Sequence, residues 1–255
     1  MATSKRDPSR ENSALTHGME VLRLLAVSPT PMTSTELARR LNLHQSTVSR
    51  ILKTLSGAGY VRKPDYHSFA VDYGVLTLGG NANAQFPLTT RPRATMIALG
   101  ERANGLSVSL ATLWRGDLIY FIRTQKGHEP IPAVATGYPL HLSSVALRLL
   151  VDEPPREALE ALELSKRRHG WERPTESVPE TPTASLKMAR ELVSDECLIL
   201  FDFQNTGWLS ASIKIEMPGQ PAVCLAVSGP GDIMSTAEIV AFLKTGRDEV
   251  VQALQ

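Results

Sequence analysis

The sequence predicts an α+β protein in two parts: an N-terminal winged helix-turn-helix, then a larger domain with an antiparallel sheet. Three observations carry this. Residues 37–55, LARRLNLHQSTVSRILKTL, hold two short apolar-periodic segments joined at Asn42, and a polar patch opens the second. Beyond residue 106, two pairs of strand-like runs flank the turn dipeptides Arg115-Gly116 and Pro218-Gly219. Between these regions, residues 74–90 (GVLTLGGNANAQFPLTT) contain three Gly and two Asn, weak helix material that reads as a linker.

Taken in order, residues 1–12 are polar and charged and read as a disordered arm without the apolar core of a secretory signal. A helical pattern starts at Ser13, with Ala14, Met19, Val21, Leu22, Leu24 and Leu25 at helix spacing, and Ser28-Pro29-Thr30-Pro31 stops it. Thr33-Ser34-Thr35-Glu36 offers caps and a first-turn acid to a short helix through Leu43. A second helix runs from His44 to Leu55 and ends at Gly57-Ala58-Gly59. Residues 60–63 and 68–71 read as two short strands turning at Pro64-Asp65-Tyr66-His67. Residues 13–73 thus form one domain, 74–90 the linker and 91–255 a second domain. In that second domain helices are expected at 91–103, 143–151, 155–164, 182–193 and 235–254, and strands at 107–114, 117–124, 210–215 and 222–228.

The opening pattern meets the steric needs of a helix-turn-helix. Ala38 is the small residue where two helices cross, and Asn42 tolerates left-handed backbone at the turn. Val48 and Ile51 anchor the second helix, and Leu37, Leu41 and Leu43 complete the core. That spacing leaves Gln45, Ser46, Thr47, Ser49, Arg50 and Lys53 facing outward. Such side chains reach base edges and phosphates in a major groove. Thr33 and Ser34 at the start of the first helix join this set, and Arg62, Lys63, Tyr66 and His67 make a basic wing. Arg6 and Arg10 on the arm could reach a minor groove. A merely solvated polar face is the ordinary explanation for such residues. The small residue, turn Asn, anchors and basic wing together favour double-stranded DNA.

Bulk composition excludes little by itself. The 255 residues are 42% hydrophobic and 21% charged, with net charge +1. Residues 1–80 hold ten Lys/Arg against six Asp/Glu, so the small end is the basic one. Two cysteines, Cys197 and Cys224, are too few for a disulfide framework and fit a cytoplasmic protein. No apolar run of about 18 residues suggests a membrane span. The six histidines show no metal-ligand spacing, no Gly-rich phosphate loop or nucleophile elbow is found, and no catalytic residue, cofactor or metal is expected.

These residues, read together, resemble the IclR (isocitrate-lyase regulator) family of bacterial transcription factors. The likeness runs through Val21-Leu22-Arg23-Leu24-Leu25, Leu37-Ala38, Ser46 to Leu55 and Gly59-Tyr60-Val61. It continues in Pro139-Leu140-His141-Leu142-Ser143 and in Gly219 to Pro230, GQPAVCLAVSGP. The resemblance implies a GAF-like effector domain behind a helical linker, assembly as a homodimer or homotetramer on operator DNA, and a small-molecule effector. It further implies an effector cup drawing on Ser107 and Ser109, Tyr120 with Ile122, His141, Ser143 and Ser144, and Cys224, Ala226 and Ser228. Hydroxyls and backbone amides there suit an anionic head, and strand side chains suit an apolar body. Leu106 and Ala146-Leu147 depart from the family pattern, and Ala226 replaces one serine of its usual pair. The lost hydroxyl suggests an aromatic or otherwise less polar carboxylate rather than a small oxoacid. The competing readings are a winged helix used for protein contact and an enzyme built on the C-terminal domain.

Overall fold

The computed structural model describes residues 13–131 and 137–255, with the backbone of 134–135. The predicted arm at 1–12, with Arg6 and Arg10, lies outside the described residues. The chain divides into two compact units, one ending at Ala84 and one spanning Gln85–Gln255.

The first unit runs α1 (Ser13–Val27), β1 (Met32–Thr33), α2 (Ser34–Leu41), α3 (Gln45–Gly57), β2 (Val61–Arg62), β3 (Ser68–Val71) and α4 (Tyr73–Gln85). Its core is Val21, Leu25, Met32, Leu37, Ala38, Val48, Leu52 and Val61, all buried. Ile51, expected as an anchor, is only partly buried, and Leu52 takes the inward position one residue later. The small sheet has three strands in the order β1-β3-β2, one more than expected. The added strand is two residues following Pro31, with Met32 opposite Phe69 and Thr33 opposite Ser68. Two residues show no alternation to read.

Residues 74–90 are largely helical, as the resemblance implied and as their Gly and Asn content did not. α4 covers most of them, and α5 (Pro87–Thr90) follows with Pro87 at its first turn. No α4 residue is fully buried; Gly74, Val75 and Asn83 are half-buried.

The second unit continues with α6 (Arg93–Arg102), β4 (Ser107–Trp114), β5 (Asp117–Thr124), β6 (Val134–Ala135) and a 3-10 turn at Leu140–Leu142. Then come α7 (Ser144–Leu150), α8 (Pro155–His169), α9 (Pro182–Leu192), β7 (Cys197–Phe201), β8 (Trp208–Ile215), β9 (Val223–Pro230) and α10 (Thr236–Leu254). The sheet order is β6-β5-β4-β9-β8-β7, antiparallel throughout. The fold class is α+β as expected. The β4–β5 hairpin turns at Arg115 and Gly116 with φ of 52° and 80°, the paired left-handed residues of a two-residue turn.

Each face of this sheet has its own core. Val108, Leu110, Ile122, Leu209, Ala211, Ile213, Val223, Leu225 and Val227 pack with Met96 and Leu99 of α6 and with Ile239, Leu243 and Val250 of α10. Ala111, Leu118, Leu198, Leu200, Cys224 and Ala226 pack on the opposite face with α7, α8 and α9. Leu110 pairs with Ile122 but Ala111 pairs with Tyr120, so Phe121 is an extra residue on β5. That bulge puts Phe121 and Ile122 together in the α6–α10 core.

Candidate functional site

The first candidate site is the outer face of α2 and α3. Thr33 and Glu36 form a capping box: the Glu36 amide donates to Thr33 Oγ1 at 3.2 Å, and the Thr33 amide donates to Glu36 Oε2 at 2.8 Å. The Thr33 amide and hydroxyl hold the Glu36 carboxyl below the ordinary glutamate range. At the other end of α2, Asn42 adopts φ 53° and ψ 46°, and the Leu43 amide donates to Ala38 O at 2.9 Å. This left-handed residue turns the chain from α2 into α3.

On α3, Val48 and Leu52 point inward, while Gln45, Ser46, Ser49, Arg50 and Lys53 are exposed and Thr47 is half-buried. Gln45 Nε2 donates to Ser34 Oγ at 3.3 Å, joining the starts of α2 and α3. His44 makes no side-chain cap. Arg62, Lys63 and His67 are exposed on the wing. Sequence reasoning passed over Arg39 and Arg40, two exposed cations in the last turn of α2. Their position just before Asn42 was the available signal.

The second candidate site lies in the other unit, on the sheet face that α7 partly covers. Register sets three serines side by side: Ser107 opposite Ser228, and Ser228 opposite Ser210. Ser144 of α7 closes that row, with its Oγ 2.6 Å from Ser210 Oγ. The next row along the strands is Arg123, Ser109, Ala226 and Ser212. The β5 bulge sends Ile122 to the other core, so Ile122 does not line this face as the resemblance implied. It also brings Arg123 to the face of Tyr120, where the guanidinium lies 4.1 Å from the ring centroid. Arg123 has no ion-pair partner among the described residues.

Tyr138 bonds to Gln204 beside these groups, and burial, with the neighbouring Tyr120, pushes its hydroxyl up to about 12. Two buried polar atoms on the same strand face, Ser212 Oγ and Trp208 Nε1, have no hydrogen-bond partner among the described residues. Sequence reading missed Arg123, Tyr138, Gln204, Ser210 and Ser212. Ser210 and Ser212 alternate within an anticipated strand, but only the pairing of β8 with β9 reveals which face they share with Ser228.

Three of the expected cup residues have other partners. Ser143 Oγ caps α7, accepting from the Ala146 amide at 3.2 Å. Cys224 is fully buried under α7 with its Sγ 4.0 Å from Val145 O, and burial raises its thiol to about 12. His141 is buried, stacked on Trp171 at 3.9 Å, and its Nε2 is 2.7 Å from Glu172 O. Burial holds the imidazole below the ordinary histidine range, and its Nδ1 has no partner among the described residues.

Comparison with known proteins bears on both sites. A family model, the IclR helix-turn-helix domain, matches residues 14–65. The HTH-type transcriptional regulator BhcR of Paracoccus denitrificans (strain Pd 1222) is 28% identical over 246 residues, 94% of this chain and 84% of that protein. The likeness to IclR-type transcriptional regulators thus covers the helix-turn-helix by the family model and most of the chain by the curated relative. The fold is shared with an IclR family regulator from Brucella abortus, at a TM-score of 0.76 and 21% identity, over 100% of this chain and 95% of that one. It is also shared with an IclR homologue from Microbacterium hydrocarbonoxydans complexed with 4-hydroxybenzoate, at a TM-score of 0.69 and 18% identity, covering 94% and 98% of the two chains. The chain is therefore a DNA-binding transcriptional regulator rather than an enzyme. Among the described residues no helix is long and apolar enough to cross a membrane, and no cluster of His, Cys, Asp or Glu could hold a metal.

Proposed function

We propose that this regulator reads operator DNA through α3 and answers to a small carboxylate, aromatic in preference, held on the α7 face of the larger sheet. Gln45, Ser46, Ser49 and Arg50 meet base edges in the major groove, with Thr47 supporting the first turn. Lys53, Arg62, Lys63 and His67 meet phosphates, and Thr33 and Ser34 fix the approach of α2. The first-turn amides of α3 add donors to a phosphate, since His44 leaves them without a side-chain cap.

One observation carries the effector half. Arg123, without an ion-pair partner among the described residues, shares a face with a row of serines and with buried polar atoms that lack partners. A carboxylate fits beside Arg123, with Ser107, Ser109, Ser144, Ser210 and Ser228 as hydroxyl partners. Tyr120 and Ala226 supply surface for an apolar body. Ser143, Cys224 and His141 then shape the cup from behind rather than touching the ligand. The 4-hydroxybenzoate held by the Microbacterium homologue is of the expected class.

The protein acts as a homodimer or homotetramer. Leu15 and Met19 of α1 are 65% and 57% exposed, and Tyr73 and Leu76 of α4 are 79% and 71% exposed. Such apolar surface is what a second copy would cover. Effector binding changes operator affinity only by its differential affinity for the states that place the DNA-binding heads differently.

The test is a titration of a duplex, selected from a randomised 30-base-pair library, at several salt concentrations. Wild type should bind with a steep salt dependence, Arg50→Ala should bind more weakly, and 4-hydroxybenzoate should shift the wild-type affinity. Salt-insensitive binding, or Arg50→Ala binding like wild type, would contradict the DNA-reading assignment.

A further inference from the structure

Strand β5 presents its two sides to two different structures. Tyr120 and Arg123 face the serine row, with the Arg123 guanidinium 4.1 Å from the Tyr120 ring centroid. Phe121 and Ile122 belong to the opposite core, and Thr124 Oγ1 donates to Met96 O of α6 at 2.9 Å. The approach of α6 is so close that a Cβ on Gly100 would lie 2.7 Å from Thr124 Oγ1. The bulge residue itself meets Phe86, whose ring stacks on Phe121 with centroids 5.8 Å apart and planes at 14°. Phe86 is the first residue after α4 and the N-cap of α5. Its carbonyl accepts from the amides of Thr89 and Thr90 at 3.0 and 3.1 Å, which ties its backbone to the first turn of α5. Phe86 is 48% exposed, so truncating it leaves no deep cavity.

A bulge interrupts the ladder, so its residues answer to whatever packs on either side of the strand more readily than regularly paired ones do. A carboxylate drawn to Arg123 therefore acts on the same short segment that holds the Phe86 ring. We infer that the Phe86–Phe121 stack couples the proposed effector face to the chain where it leaves α4. The bulge takes one arrangement when Tyr120 and Arg123 hold a carboxylate and another when they do not, and Phe86 follows Phe121 in each. Packed interiors switch between discrete arrangements rather than deforming continuously, so a small shift at the bulge is passed on to Phe86. Phe86 is a positioning residue: it touches no ligand, and it sets the start of α5 and, through Gln85, the end of α4. This coupling rests on the proposed effector role of Arg123 and adds the contact through which that role reaches the rest of the chain.

The experiment uses the full chain, the best duplex that wild type selects from a randomised 30-base-pair library, and 4-hydroxybenzoate as the probe. Operator affinity with and without probe, probe affinity by calorimetry, and melting are compared for wild type, Phe86→Ala, Phe86→Tyr, Arg123→Gln and the double variant Phe86→Ala/Arg123→Gln. Phe86→Ala should bind the probe within about twofold of wild type, while the effect of the probe on operator affinity falls to within about twofold of none. Phe86→Tyr keeps the ring and should respond like wild type, a rescue that a mere loss of stability would not show. Should Phe86→Ala melt too low to assay, Phe86→Leu removes the ring but keeps apolar volume and serves the same comparison. Without probe, the operator affinity of the double variant should depart from additivity by about threefold or more. A wild-type probe response in Phe86→Ala would overturn the inference, and so would loss of probe affinity together with the response, or additivity in the double variant. Failure of the effector reading has a separate signature: no probe binding to wild type, in which case the double variant alone decides the coupling.

Discussion

Ser144 and Ser210 share a hydrogen bond of 2.6 Å that ties the first turn of α7 to the middle of the sheet. Both side chains are buried, at 1% and 8% exposure. The bond joins the element that resembles the family's PLHLSS segment to a strand that the resemblance did not single out. Ser210→Ala leaves the Ser144 hydroxyl unpaired in the interior, a cost of about 1–3 kcal/mol. The melting temperature should fall by roughly 2–4 °C per kcal/mol in a unit of this size. Because Ser210 also belongs to the serine row, the variant should bind an effector more weakly at temperatures where it remains folded. Calorimetry of melting and of ligand binding checks both.

The left-handed turn of the helix-turn-helix gives a second expectation. Asn42 sits at φ 53°, a region that a β-branched side chain resists. Asn42→Val should cost about 1–2 kcal/mol, while Asn42→Gly should be nearly neutral. Equal destabilisation by both substitutions in urea would point to a side-chain role that the backbone geometry does not indicate.

The glycines of α4 separate into two kinds. A Cβ on Gly74 would lie 2.5 Å from the Gly59 carbonyl oxygen, so Gly74→Ala should destabilise the first unit. Gly79 and Gly80 have open space around them and no left-handed backbone. Each costs the helix about 0.8–1.0 kcal/mol relative to alanine. Replacing both with alanine should therefore slow amide exchange along α4 by roughly tenfold or more. If α4 transmits the effector signal by bending or fraying at this pair, the same variant should also respond less to ligand.

His141 predicts a pH dependence. Burial keeps its folded-state value below the ordinary histidine value of about 6.5. Between the folded value and that unfolded value, the unfolded chain binds more protons, so stability rises with pH across this window. Acidification through about 6.5 should therefore destabilise the protein, with the loss complete once pH is below the folded value. Urea midpoints at pH 7.5 and 5.5 should differ more for wild type than for His141→Gln.

The DNA-binding unit was legible because its requirements are local. Ala38, Asn42, Val48 and Ile51 lie close together in the sequence, so a period-3.6 pattern and one turn residue suffice to find the motif, although the inward residue proves to be Leu52 rather than Ile51. The hairpin 107–124 was legible for the same reason, with Arg115-Gly116 marking its turn. β7 was missed although Cys197–Phe201, CLILF, is an apolar run; without alternation and beside an acidic stretch, it offered no period. α8 extends past Leu164 to His169 because Lys166, Arg167 and Arg168 suit a helix C-terminus, where charge rather than periodicity carries the signal. The proposed effector face was legible only in part. Ser107, Ser109 and Ser228 came from resemblance, whereas Arg123 depends on a one-residue bulge and Ser210 on a strand pairing made only in the folded chain.

Arg123 and the serine row are proposed to hold a small carboxylate, aromatic in preference. The most direct measurement is thermal melting of wild type and Arg123→Gln against 4-hydroxybenzoate, other phenolic acids and small oxoacids. A ligand that binds only the folded state, at about 100 times its Kd, adds about 2.7 kcal/mol, a rise of several degrees. Wild type should show that rise with a phenolic acid, and Arg123→Gln should lose it. An equal rise in both proteins, a rise with small oxoacids alone, or no rise with any carboxylate would contradict it.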